Sequence, residues 1–122
     1  MTGMADEMSR EVLTKANEDY SGLYEVVWSF RTNFMPHATE PELIEAATKA
    51  VQSQLEQRNI RLIRFRMKPS PEVQDVPEAE IPGILGSRDS WQPPKSWEDW
   101  YPSFYATDEG ERAWRISRKS EV

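Results

Sequence analysis

Seven of the nine prolines in this 122-residue chain fall between Pro69 and Pro102. Proline fixes φ, lacks an amide donor and pushes the residue before it out of the helical region. The stretch 68–100 can therefore be neither one long helix nor an internal strand. It divides the chain into a proline-poor N-terminal part, a broken connection and a short C-terminal part. A wholly structureless connection of that length is unusual inside a compact domain, so it is expected to hold short elements of its own. Pro77 to Leu85 predicts a short helix ended by Gly86, and Ser96-Trp97-Glu98-Asp99 predicts a single helical turn.

The N-terminal part carries the clearest periodicity. Tyr20, Leu23, Val27, Phe30 and Phe34 recur at steps of three and four, with Tyr24 and Trp28 beside them. This spacing predicts a helix buried over a wide arc and stopped by Pro36. Thr39-Glu40-Pro41-Glu42 reads as a second helix start, with Thr39 as cap, Glu42 three residues on and Pro41 in the first turn. That helix runs through Gln57 with Leu43, Ala47, Ala50, Val51 and Leu55 inward, and Asn59 suits a left-handed cap. Residues 1–19 are polar and acidic with only a thin stripe (Met4, Met8, Val12, Ala16), so a polar tail or frayed helix is expected there.

Ile60 to Met67 (IRLIRFRM) alternates as a strand does, but its apolar phase shifts between Leu62 and Ile63. Either both faces are covered or a bulge resets the register. Tyr101 to Ala106 is its expected partner. Asp108-x-x-Glu111 then opens a C-terminal helix to Arg118, weakened by Gly110 and carrying Trp114 inward; 119–122 is expected as a tail.

Composition narrows the chemistry. Hydrophobic residues make up 38% and charged residues 30%, yet 11% aromatic content with five Trp exceeds what a disordered chain would hold. Cysteine is absent and His37 is the one histidine. That excludes disulfides, thiol nucleophiles, cysteine-bound metal and an imidazole pair. Gly83 and Gly86 lack the Gly-Lys-Ser/Thr ending of a phosphate loop. Glu98 with Asp99, and Asp108 with Glu109 and Glu111, fit no calcium-loop spacing, and the second set is accounted for by helix capping. No catalytic, cofactor or metal residues are assigned, and no enzyme activity is expected. A net charge of −6 opposes docking on nucleic acid and on anionic membranes. No apolar run is long enough to span a bilayer, and the acidic start does not resemble a signal peptide. A soluble, cytoplasmic protein is expected.

The run Leu55 to Phe65 (LEQRNIRLIRF), and later Phe104 to Trp114 (FYATDEGERAW), resembles the wing region of winged-helix proteins. In that superfamily a helix ends in a short cap and enters the first wing strand. The second strand runs into a Thr-x-x-Gly helix start, here Thr107 to Gly110. The layout is also similar to small actinobacterial proteins with a Trp- and Pro-rich insert in place of a simple wing. The resemblance covers residues 20–118. It implies an α+β fold: two main N-terminal helices, a β-hairpin with a long irregular insertion at 68–100, and a C-terminal helix. One departure bears on function. DNA-reading members present a helix to the major groove, whereas the outward residues of the 39–57 helix are Glu42, Glu45, Lys49, Gln52 and Glu56.

Two constellations remain. Trp91, Trp97 and Trp100 lie in the insertion among Pro, Lys, Glu and Asp; exposed, they would form a contact surface for a protein partner or for a second copy in a homodimer. Arg58, Arg61, Arg64, Arg66 and Lys68 line the first strand without an intervening acid. They would track phosphates in a DNA-binding transcription regulator, unless Glu72, Asp75, Glu78 and Glu80 pair with them. The expected function is a non-enzymatic interaction or regulatory module, with DNA binding as the alternative.

Overall fold

The computed structural model describes residues 3–120, with side chains through 118. In chain order the elements are α1 (Met4–Glu18), β1 (Ser21–Gly22), α2 (Leu23–Asn33), α3 (Glu40–Glu56), β2 (Ile60–Arg66), β3 (Glu72–Asp75), α4 (Ile81–Leu85), β4 (Tyr101–Ala106) and α5 (Asp108–Ser120). Two 3₁₀ turns, Glu78–Glu80 and Arg88–Trp91, flank α4. The four strands form one antiparallel sheet in the order β1–β4–β2–β3. The fold is α+β, as the residue pattern predicts.

The pairing of β2 with β4 runs from Ile60 opposite Ala106 to Phe65 opposite Tyr101 without a break. There is no bulge, so the phase shift in β2 has its other cause: the strand is buried on both faces. Ile60 and Leu62 join the main core with Phe104, the helices and three residues of the insertion, Val76, Leu85 and Trp91. Ile63 and Phe65 point the other way and pack with Tyr24 and Tyr101 in a second, smaller cluster. Side chains alternate across a strand, so an apolar residue at every position but the arginines needs two covering layers.

The insertion is more regular than expected. Its β3 pairs with β2, and α4 forms where Pro77 to Leu85 predicts it. Ser96 to Asp99 is a β-turn rather than a helical turn, closed by Asp99 N–H donating to Ser96 O at 3.0 Å and by the Ser96 hydroxyl accepting from Glu98 N. An ion pair fastens the insertion to the start of α3: Arg88 Nε lies 2.7 Å from Glu40 Oε1, which also accepts from Gln92. The hydrogen bond from Arg88 holds the Glu40 carboxyl below its usual range.

Residues 4–18 are not a frayed tail. α1 docks on α3 with Val12, Leu13 and Ala16 buried. Its thin stripe suffices because polar groups are matched as well: Gln54 Nε2 donates to Ser9 O and Ser9 Oγ, and Ser9 Oγ donates to Ser53 Oγ. The chain thus has three N-terminal helices rather than two. At the other end α5 runs to Ser120, beyond the expected stop at Arg118, and residues 121–122 of the expected tail lie outside the described residues. Tyr20 also falls outside its expected helix, because Ser21 and Gly22 pair with β4 and α2 starts only at Leu23.

The junction of α3, β2 and α5 shows why two further expectations shift. Arg58, not Asn59, takes the left-handed conformation (φ 62°). Asn59 is instead buried, its side-chain amide donating to Gln54 Oε1 at 2.8 Å and its N–H to Gln54 O. Thr107, not Asp108, caps α5: its Oγ1 accepts from Gly110 N at 3.0 Å and donates to Arg58 O at 2.6 Å. Gly110 lies directly against the Asn59 carbonyl, where any Cβ would overlap it. The glycine that weakens the helix is what lets the helix approach the strand.

Gly110→Ala is expected to cost about 2–3 kcal/mol in urea unfolding, as overpacking at a rigid backbone contact does. Gly83→Ala, in α4 with nothing near its Cβ position, should be neutral or slightly stabilising. Equal stability of the two variants would contradict this packing.

Candidate interaction surface

β2 and β4 give the sheet two unlike faces. The inner one is covered by α1, α2, α3 and the insertion. The outer one carries Arg61, Ile63 and Phe65 from β2 and Tyr101, Ser103 and Tyr105 from β4, since residues in direct register share a face. Tyr20 joins them just ahead of β1, and α2 contributes Tyr24 and Trp28 from its first turns. The close approach of Tyr24 depends on Gly22, where a Cβ would come within 2.5 Å of the Tyr24 ring.

These rings touch in a continuous chain. Centroid separations are 4.9 Å for Trp28–Tyr24, 6.0 Å for Tyr24–Tyr101 and 5.8 Å for Tyr101–Phe65. The chain continues through Phe65–Tyr20 at 5.4 Å and Tyr20–Tyr105 at 5.5 Å, while Trp97 joins at Tyr101 at 6.2 Å. Most of the pairs are edge-to-face, the arrangement that the ring quadrupole favours. Phe65, Tyr24 and Tyr101 are buried, but Tyr20, Trp28 and Trp97 are 45%, 51% and 45% exposed, with Val73 and Met67 exposed nearby. Three half-exposed rings thus stand on a buried aromatic base within one patch, larger than the scattered apolar residues of an ordinary surface.

The three insertion tryptophans do not act together. Trp91 is a core residue, 2% exposed, with its indole N–H donating to Leu85 O at 3.0 Å. It cannot be a contact residue. Its burial follows from the 3₁₀ turn Arg88–Trp91, which packs against α2 and β4. Trp97 is exposed on the outer face. Trp100 is half-buried under the Arg66 guanidinium, 4.7 Å from its ring centre. Trp28 and Tyr20, in contrast, belong to the surface although their helical spacing places them in a core. Spacing cannot reveal that the strand opposite them would leave its outer face open.

The arginine strand is largely matched by carboxylates of the insertion. Arg61 pairs with Asp75 at 3.3 Å, Arg64 with Glu80 at 3.1 Å and Arg66 with Glu72 at 2.9 Å. Arg66 and Glu72 are direct partners across the β2–β3 ladder, whereas Arg61 reaches Asp75 diagonally, the ladder partner of Asp75 being Ile63. Arg58 and Lys68 are exposed at opposite ends of the strand, and neither is in an ion pair with a described residue. On α3, Glu42, Glu45, Lys49, Gln52 and Glu56 are all exposed, and Lys49 pairs with Glu45. Among the described residues no cluster of three or more His, Asp or Glu side chains is placed to hold a metal ion. No helix among them is long and apolar enough to cross a membrane.

Burial also sets the acid–base character of the patch. The Tyr101 phenol is pushed up to about 12, first by burial and then by the Tyr24 and Glu25 charges beside it. Tyr24 is raised for the same reasons, burial before Glu25. Comparison with protein-family models, curated proteins and solved structures finds no match to this chain.

A phenol that ionises near 10 in the unfolded chain and near 12 in the fold makes the unfolded state lose its proton first. The stability it contributes is therefore intact below pH 10 and is lost as pH rises through 12. Tyr101→Phe should remove this part of the alkaline decline. Parallel stability–pH curves for the variant and the wild type would contradict the burial of Tyr101.

Proposed function

We propose that this protein is a non-enzymatic interaction module that binds a protein partner through the aromatic outer face of its sheet. The observation that carries the reading is the row Tyr20, Trp28 and Trp97, three half-exposed rings fixed on a buried aromatic base. Trp and Tyr dominate interface hot spots because they bury large area at little conformational cost. Here that cost is already met: the exposed rings pack on Tyr24, Phe65, Tyr101 and Tyr105, so the surface is organised before a partner arrives.

The scaffold reading is winged-helix-like. Its support is the order α1–β1–α2–α3–β2–β4, with the two-residue β1 lying beside the returning strand and a folded insertion in place of a wing. DNA binding is the rival reading. Against it stand the acidic outer surface of α3 and the carboxylates that already engage Arg61, Arg64 and Arg66. The two remaining cations of that set, Arg58 and Lys68, lie beyond opposite ends of β2 (Ile60–Arg66), a strand roughly 20 Å long at about 3.3 Å per residue. That is too sparse for a phosphate track.

Peptides selected by display against the wild-type chain provide the test. Their affinity should fall about 30-fold or more with Trp28→Ala or Trp97→Ala, the loss of a hot spot worth about 2 kcal/mol. Arg64→Ala should change it less than about twofold, and thermal melting should show both tryptophan variants folded. Peptides indifferent to the tryptophans would overturn the proposal. So would strong low-salt binding of duplex DNA whose salt slope falls with Arg64→Ala or Arg66→Ala.

A further inference from the structure

Where β4 meets α5, the aromatic face ends in a notch of about 360 Å³. Three rings line it from three separate segments: Tyr20 ahead of β1, Tyr105 on β4 and Trp114 on α5. Tyr20 and Tyr105 stand at 73° to each other, so the rings form angled walls rather than a flat platform. Asn17, Asp19, Glu111 and Arg115 complete the polar lining.

We propose that this notch binds the cationic side chain, guanidinium or ammonium, of a partner peptide. The inference rests on the interaction reading above and adds to it the chemistry of the partner.

The charge balance selects the ligand. Arg115 is bonded to Glu111, so that pair is neutral. Asp19 accepts only from the Tyr20 backbone N–H at 2.7 Å and has no cation beside it among the described residues. Asp19 is thus the one carboxylate of the notch without an ion partner among the described residues; it shares the lining with Tyr20, Tyr105 and Trp114, and Trp114 already carries Arg118, from outside the lining, over its ring. An anion would be repelled by Asp19, and a neutral apolar group would strip water from it without compensation. A cation satisfies the carboxylate and the negative faces of the rings together. The protein already makes this contact with its own residues: Arg118 lies 4.8 Å over the Trp114 ring and Arg66 4.7 Å over Trp100. The volume falls at the lower end of ligand pockets, room enough for one such side chain.

The test uses the full chain, ¹⁵N-labelled, and two peptides, Gly-Gly-Arg-Gly-Gly and its counterpart with neutral citrulline for arginine. The arginine peptide should shift the Trp114 indole N–H and the Tyr105 amide, saturate in the millimolar range and bind about fivefold or more tighter than the citrulline peptide. Asp19→Asn, at an exposed position that leaves folding intact, should erase most of that preference. Trp114→Leu should abolish binding.

Equal binding of the two peptides overturns the proposal. So does an arginine preference that survives Asp19→Asn. Display-selected peptides that lose affinity with Trp28→Ala but not with Asp19→Asn would remove the notch alone and leave the interaction reading standing. Selected peptides indifferent to both tryptophans would remove the reading on which it rests.

Discussion

A strand that is apolar on both faces must be covered twice, and β2 is such a strand. Ile60 and Leu62 demand a core on one side; Ile63 and Phe65 demand another on the opposite side. The helices and the insertion meet the first demand. Only a few aromatic side chains, drawn from β4, the start of α2 and the end of the insertion, meet the second. With no helical layer beneath them, those aromatics cannot all be buried, and the outermost remain in water. The exposed surface is thus a consequence of how the sheet is built rather than a decoration added to it.

The same logic explains the insertion. Its prolines rule out long elements, yet it supplies Val76, Leu85 and Trp91 to the main core and β3 to the edge of the sheet. Strand β3 is short, fully exposed and acidic, features that discourage further strand pairing at an open edge. Its carboxylates and that of Glu80 bond the arginines of β2. What reads along the chain as a basic strand followed by an acidic run is, in space, a set of ion pairs. Such exposed pairs contribute little stability, but they remove the charge that nucleic acid would need.

Much of this was legible in the residues. The α3 cap at Thr39 and the short helix before Gly86 follow from local chemistry, where a side chain and its immediate neighbours decide them; the pairing of β2 with β4 follows from strand-like patterns on both sides of the insertion. What was not legible depends on contacts distant in the chain. The docking of α1 rests on Ser9 meeting Gln54, and the left-handed turn falls on Arg58 because Gln54 draws Asn59 inward. Gly110 is explained only by the Asn59 carbonyl against it. The candidate surface is half visible in the sequence: the insertion marks Trp97, which is exposed, and Trp91, which is core, while helical spacing assigns Trp28 and Tyr20 to the core although both are exposed. A tryptophan's exposure is fixed by what stands opposite it, and a linear pattern does not carry that.

The central claim is that the tryptophans divide between core and open surface. Broadening of the indole N–H signals by a soluble gadolinium chelate, read for each assigned tryptophan, tests it most directly. Trp28 and Trp97 should broaden strongly, while Trp91, hydrogen-bonded to Leu85 O inside the core, should be unaffected. Broadening of Trp91, or protection of both Trp28 and Trp97 in the isolated chain, would contradict the account.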